Sequence, residues 1–395
     1  MANSTDVKIV VLGVGGGGSN AVNNMVVESQ ESQIKFVVVN TDQQDIEKSI
    51  AQHKILISPK NKKSEGLGAG AKPEVGQDAA ENSIDLIKEH LAGADMCFIA
   101  AGLGGGTGSG AAHVIAKLAK EEMDITTVAV VTRPFHWEGK KRSINAEKAL
   151  DDLAKSTDVL VPIPNDKVID ISDKKTTVGE AFKAVDNVLR DGVLGITDLI
   201  TKTGIINLDF ADVQAIVKDA GLAHMGIGIY RMTGNEENPV LEALTNAIKS
   251  DLLETSISGA KRIMINYTSS EELSMLDISQ ANEVVYEMVD EDVNLIWGNA
   301  IDPTLQEGEV KATVIATEFN DESCGANEIK EPSSIKNSVN PLGKAQEKST
   351  SPIGGGLLGS YNFAHRNTQS AVEPKASAAQ KSFDINEFKS RFGRR

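Results

Sequence analysis

The chain has 395 residues, of which 40% are hydrophobic and 4% aromatic, with a formal net charge of -16. Its length supports two packed domains with aliphatic cores, and its negative charge argues against general attraction to nucleic acid or to an anionic bilayer, since both need positive charge near the ligand. Cys97 and Cys324 are far apart and the six histidines form no HExxH or close His/Cys grouping, so neither a disulfide framework nor a metal cluster is expected.

Residues 7–12 read as a buried strand, and Gly13, Gly15, Gly16, Gly17, Gly18 and Ser19 then lead into the helix-like run NAVNNMVV. Taken alone, this cluster satisfies the dinucleotide fingerprint at Gly13, Gly15 and Gly18, with Asp42, after the strand at 35–40, as a candidate ribose ligand. Residues 1–10 run directly into this strand without a signal peptide, and no apolar run is long enough to span a membrane, so a cytoplasmic location is expected.

A second glycine turn follows the apolar strand at 95–102. The stretch AAGLGGGTGSG places Gly104, Gly105, Gly106, Thr107, Gly108, Ser109 and Gly110 before the helical run AAHVIAKLAKE. With so few Cβ atoms the backbone can wrap an anion, and the next helix offers its unpaired N–H groups. Two such turns point to one nucleotide gripped from two sides of a parallel sheet; close helix-to-sheet packing is the alternative for either turn alone. Neither turn ends in GK[ST], so phosphate charge must be met by N–H groups, helix ends, the Thr107 and Ser109 hydroxyls, and a cation. Mg²⁺ held mainly by phosphates and water is expected, rather than a protein carboxylate cage.

Further strands are expected at 54–58, 125–131 and 158–164, with helices at 81–90, 111–121 and 143–156, which together describe a parallel sheet covered on both faces. Glu138 and Arg142 in PFHWEGKKR, and Asn165 in VPIPNDK, fall just beyond strand ends, where such sheets bind ligands. Glu138 can bind ribose, and Arg142 can pair with a phosphate or with protein. Residues 177–201 form a long helical connector with Val178, Phe182, Val185 and Leu189 along one side. Phe182 and Asp186, four apart, share a helix face: the ring can stack on a purine while the carboxylate accepts from guanine N1 and N2, or Phe182 is core and Asp186 solvated.

The second half is mixed: NLDFADVQAIVKDAG, a strand at GIGIYRM, a helix at NPVLEALTNAIKS, and strands around KRIMINYT, NLIWGNAI and EVKATVIAT. Asp209 and Asp212 can orient and polarise a water for attack on a γ-phosphate; equally, Asp209 can cap a helix beginning near Phe210, with Asp212 in its first turn. Beyond about residue 320 the composition turns to Ser, Asn, Pro, Gly, Lys, Gln and Ala, as expected for a flexible tether. The end, SFDINEFKSRFGRR, regains Phe383, Ile385, Phe388 and Phe392 among basic residues, the layout of a docking peptide.

The combination of GGGTGSG, GGGGSNAVNNM, GLGAGAKPEVG, NLDFADV and SDLLETSISGAKR resembles the FtsZ family of bacterial cell-division GTPases, prokaryotic relatives of tubulin, over about residues 7–317. The resemblance implies an α/β fold with a parallel-sheet GTP-binding domain (1–176), a central helix (177–201), a second α+β domain (202–319), a disordered linker (320–382) and a partner-binding peptide (383–395). It places Gly16, Gly17, Gly18 and Asn20 at the nucleotide, Gly104 to Gly110 on the phosphates with Thr132 nearby, and Glu138 and Arg142 at ribose and phosphate. Asn165 and Asp186 fall at guanine and Phe182 against the base, while Asn207, Asp209 and Asp212 match the loop that reaches the nucleotide of the next subunit. GTP or GDP with Mg²⁺, head-to-tail filaments and tail contacts with membrane-linked division proteins beneath the inner membrane are the implied ligands, assembly and partners. The competing readings are a dinucleotide-dependent oxidoreductase, which leaves GGGTGSG unexplained, and a nucleotide-binding polymer that has lost hydrolysis. INEF departs from the family's proline-containing tail, and GLAHMGIG carries bulky Leu222 and His224 where small residues are common.

Overall fold

The structure, a computed structural model, describes residues 7–28, 33–60, 65–170, 176–201, 209–232, 238–250, 257–289, 292–302 and 304–319. Asn207, the linker at 320–382 and the peptide at 383–395 lie outside the described residues.

The six apolar runs of the first half form parallel strands β1 (Ile9–Val14), β2 (Ile34–Asn40), β3 (His53–Leu56), β4 (Met96–Gly102), β5 (Thr126–Arg133) and β6 (Val159–Pro164), in the order β3-β2-β1-β4-β5-β6. They read as near-continuous hydrophobic runs because both faces are covered. Ile9 and Val11 of β1 enter one core and Val10, Leu12 and Val14 the other; Phe98 and Ala100 of β4 likewise oppose Cys97, Ile99 and Ala101. Helix α1 (Gly15–Glu28) follows β1, α2 (Gln43–Lys48) follows β2, and α3 (Pro73–Asn82) and α4 (Ile84–Leu91) lie between β3 and β4. Next come α5 (Thr107–Lys117) after β4, α6 (Lys140–Ser156) before β6, and α7 (Asn165–Asp170) after it. The chain winds outward from β1 to β3 and then resumes on the other side at β4, so the carboxyl ends of β1 and β4 form the switch point where such sheets open a crevice.

The connector is α8 (Val178–Thr201), a 24-residue helix roughly 36 Å long. Its buried stripe includes Ala181, Val185, Leu189, Val193 and Ile196. Val178 and Phe182, expected on that stripe, are instead exposed at 62% and 38%.

After α9 (Phe210–Val217), strand β7 (Gly221–Arg231) begins five residues before the expected GIGIYRM. Its first residues pair in parallel with β6, Val159 with Gly221 and Leu160 with Leu222, and the Gly221 N–H bonds the Asp158 carbonyl at 2.8 Å. The rest of β7 pairs antiparallel with β10 (Glu309–Phe319), which is followed in the sheet by β8 (Ala260–Ser269) and β9 (Asn294–Ile301). One ten-stranded sheet therefore runs through both halves. Helices α10 (Pro239–Ile248) and α11 (Met275–Met288) supply the third core, packing Val240, Leu244, Ile278 and Val285 around Tyr267. The helix α11 was not expected from the pattern: its buried face includes Asn282, which accepts from the Tyr267 hydroxyl at 2.8 Å, while Met275, Leu276 and Tyr286 face outward.

Candidate functional site

Both glycine turns sit at the switch point. Gly15 follows β1 directly with φ +73°, and Gly104, between β4 and α5, has φ +95°, conformations that a Cβ disfavours. The remaining glycines divide into two groups. A Cβ on Gly18 would lie 2.2 Å from the Ala100 carbonyl oxygen and on Gly108 2.4 Å from that of Gly102, so these positions let helix touch strand, and on Gly110 it would lie 1.9 Å from that of Pro73, so α5 touches α3 there. On Gly105 a Cβ would meet nothing within 4 Å, and on Gly16 only Asp45 Oδ2 at 3.6 Å. Packing and open approach are therefore both present, at different residues of the same turns.

The open positions line one cleft of about 640 Å³, together with Gly17, Gly106, Gly108 and the Thr107 side chain. That volume suits a nucleotide-sized ligand. Helix α5 has no side-chain cap, and neither it nor α1 carries an acid in its first turn, so two positive helix ends converge on the cleft. Gly18, Gly104, Ser109 and Gly110 do not line the cleft: Ser109 Oγ instead accepts the Gly104 N–H at 2.8 Å and fixes the turn from behind.

A further wall, of which only Asp42 was expected, comes from the end of β2 and residues 67–71. The hydroxyls of Thr41 and Thr107 are 2.6 Å apart, tying this wall to the start of α5. Asn40 Oδ1 accepts from the Thr41 and Asp42 N–H groups, and its Nδ2 donates to Asp45 at 3.1 Å. Asp42 caps α2 by accepting from the Gln44 N–H at 2.9 Å and also lines the cleft. The glycine fingerprint pointed to Asp42 alone; the strand order, with β2 beside β1, brings Asn40 and Thr41 with it.

At the other end, Asn20, Thr132, Glu138, Arg142, Asn165, Phe182 and Asp186 share the same cleft with Val185 and Leu189. Asn165 is 4% exposed and its Oδ1 has no hydrogen-bond partner, an orphaned acceptor of the kind that a ligand satisfies. Burial raises the Asp186 carboxyl to about 7. Glu138 has a nearly buried carboxylate that accepts the Phe135 N–H at 3.0 Å and pairs with Arg142, so of the two roles open to Arg142 the structure displays the pairing with protein. Among the described residues no lysine lines the cleft, and no group of His, Cys, Asp and Glu can hold a metal.

The Asp209 and Asp212 pair lies elsewhere. Asp209 occupies the N-cap position of α9, but its carboxylate makes no capping bond; its backbone carbonyl accepts the Asp212 N–H at 2.9 Å. Both residues are exposed, and neither lines the cleft. The body of α9 is fixed by buried Val213, Ile216 and Val217, by Gln214 donating to Thr126 at 3.0 Å, and by Arg262 donating to the Ala215 carbonyl at 2.8 Å. Thr126 opens β5 and Thr132, on the cleft, is near its close, six residues or about 20 Å away. The helix that carries the acid pair thus packs at the amino ends of the parallel strands, the edge opposite the carboxyl ends that form the cleft of its own chain.

These features define an α/β nucleotide-binding protein that offers phosphate two glycine-rich helix starts. Residues 8–173 match the GTPase domain of the tubulin/FtsZ family, and residues 221–320 match the FtsZ family C-terminal domain. An empty FtsZ dimer from M. jannaschii is 40% identical, with a TM-score of 0.75 over 80% of this chain and 89% of that one. A mutant FtsZ from the same organism is also 40% identical, with a TM-score of 0.74 over 79% and 91%. CetZ2 from Haloferax volcanii, a GTPgS-bound protofilament, shares the fold at 21% identity, with a TM-score of 0.67 over 80% and 95%. The chain belongs to the tubulin/FtsZ family and is a GTPase, which removes the dinucleotide-dependent oxidoreductase reading of Gly13, Gly15 and Gly18.

Proposed function

We propose that this GTPase assembles head to tail, and that Asn207, Asp209 and Asp212 of one subunit complete the GTP site of the next. The observation that carries this reading is that α9 is bonded to Thr126 at the start of β5, whereas the cleft is reached by Thr132, about 20 Å along the same strand. A subunit whose cleft and acid pair sit on opposite edges can use both only through a heterologous contact, and such a contact repeats into a filament.

In the cleft, Phe182 stacks on guanine, the Asp186 carboxylate accepts from N1–H and N2–H, and the orphaned Asn165 amide completes the base contacts. Gly16, Gly17, Asn20, Gly105 to Gly108 and Thr132 receive the phosphates through backbone N–H groups and hydroxyls, Gly18, Gly104, Ser109 and Gly110 shape the turns behind them, and Glu138 and Arg142 stand at the ribose end. Mg²⁺ would be held mainly by phosphate and water, with the Thr41 and Thr107 hydroxyls beside it. When bound it supplies charge neutralisation at the phosphates. Asp209 and Asp212 from the neighbour orient a water and accept its proton as it attacks the γ-phosphate, giving GDP and phosphate. Hydrolysis then waits on assembly, and loss of the γ-phosphate weakens the contact.

The filament is proposed to scaffold bacterial cell division in the cytoplasm at the septum, with the peptide at 383–395 binding membrane-linked division proteins. Among the described residues no helix is long and apolar enough to cross a membrane, which supports tethering through such partners. The decisive test follows phosphate release and sedimentation together across protein concentration. Release should rise faster than linearly through a threshold at which material pellets with GTP but not with GDP. A strictly proportional rate would overturn the shared site.

A further inference from the structure

An aromatic cluster stands at the base end of the cleft, and its outermost member has no part in the reading above. The Phe135 and Trp137 rings are stacked, with centroids 5.1 Å apart and planes 12° apart. Phe182 lies 5.4 Å from Phe135 and 6.1 Å from Trp137, at 80° to both. Three near-equal separations place Phe182 beside the stacked pair rather than on top of it, so both rings buttress it. Phe135 is fully buried, Phe182 is 38% exposed and Trp137 is 49% exposed.

The turn that carries the indole is fixed at several points. The Phe135 N–H donates to Glu138 at 3.0 Å, Glu138 pairs with Arg142, and the His136 N–H donates to Asp166 at 3.2 Å, next to Asn165 at the start of α7. An indole half in water, on a turn with so little freedom, is not explained by core packing, because Phe135 already fills the core beneath it. Edge-to-face aromatic contacts hold a ring at a defined angle.

We propose that Trp137 is a positioning residue for the base: it props the Phe182 ring so that the ring's open side is presented to guanine before nucleotide arrives. The proposal rests on the reading that guanine stacks on Phe182. Loss of the prop releases the rotamers of Phe182, so affinity for the base falls while the phosphate contacts, built by the glycine turns on the far side of the cleft, do not.

The full-length chain contains two tryptophans, Trp137 and Trp297, so Trp297→Phe leaves Trp137 as the sole indole reporter. In that background GDP should change the emission and inorganic tripolyphosphate should not. Trp137→Ala should weaken GDP binding by roughly three- to tenfold, raise KM for GTP by the same factor without lowering kcat, and leave tripolyphosphate affinity within twofold. Trp137→Phe, which restores a ring, should recover most of the loss. If Phe182→Ala weakens GDP binding and Trp137→Ala does not, the prop is refuted while base stacking stands; if neither does, base stacking fails as well. Equal losses for GDP and tripolyphosphate would show a general distortion and also overturn the proposal.

Discussion

The two edges of the parallel sheet are made by the same alternation of strand and helix, yet they treat polar groups in opposite ways. At the cleft edge Asn165 Oδ1 is buried without a partner, Asp186 is desolvated, and α5 starts without a side-chain cap. At the opposite edge the buried Asp158 carboxylate accepts the Thr127 N–H at 2.8 Å and pairs with Lys120 at 3.1 Å, and Lys120 also reaches Asp219 at 2.8 Å. An edge that satisfies itself is scaffold, whereas one that leaves acceptors and helix ends open awaits a ligand. The exception on the closed edge is the exposed Asp209 and Asp212 pair, and that exception carries the proposed function.

The comparison breaks most sharply if the exposed acids serve nothing. Asp212→Ala is expected to leave GTP binding intact and to lower turnover by about 10²- to 10⁴-fold, measured as phosphate release at saturating GTP. Mixed in equal amounts with Arg142→Ala, it should recover roughly a quarter of wild-type turnover, since one junction in four joins an intact cleft to an intact acid pair. No recovery would place both residues in one subunit's own site.

The glycines sharpen the same contrast within one turn. Gly110→Ala forces a Cβ to within 1.9 Å of the Pro73 carbonyl oxygen and should destabilise the fold by about 3 kcal/mol, read from the denaturant midpoint. Gly105→Ala, with open space at its Cβ, should change stability by less than about 1 kcal/mol. Asp158→Ala falls between them, at about 2 kcal/mol, because the Thr127 N–H loses its acceptor and Lys120 keeps only the Thr157 carbonyl and the exposed Asp219.

The strands of the first half were legible because burial on both faces leaves uninterrupted apolar runs, and both glycine turns because strand, glycine and helix follow without a break. What one face of an element meets is not written in its own residues. Phe182 falls on the expected stripe of α8, yet the ring leans on Phe135 and Trp137 at the cleft. The early start of β7 depends on Asp158, sixty-odd residues upstream, and α11 was hidden by a buried Asn282 whose partner is Tyr267 on another element. Asp209 shows the limit of local rules: the helix begins where a cap was expected, but the carboxylate is left for something else.

The smallest expected effect is also the one with opposite signs in two measurements. Asp186 titrates near 7 because burial disfavours its charge, whereas an unfolded chain releases that proton near the ordinary value of 3.8. Between those values the nucleotide-free fold holds a proton that the unfolded chain has lost, so this residue's contribution to stability declines as pH rises from about 4 to 7. Guanine recognition runs the other way, since only the ionised carboxylate accepts from both N1–H and N2–H. Affinity for GDP should therefore rise with pH, by at most about tenfold per unit below 7, and level off above it. Asp186→Asn should flatten both slopes and reduce the preference for GDP over ADP, as paired titrations at pH 6 and 8 can measure. A GDP affinity that is unchanged over this range in the wild-type chain would mean that the carboxylate does not meet the base, and the open edge would lose its guanine end.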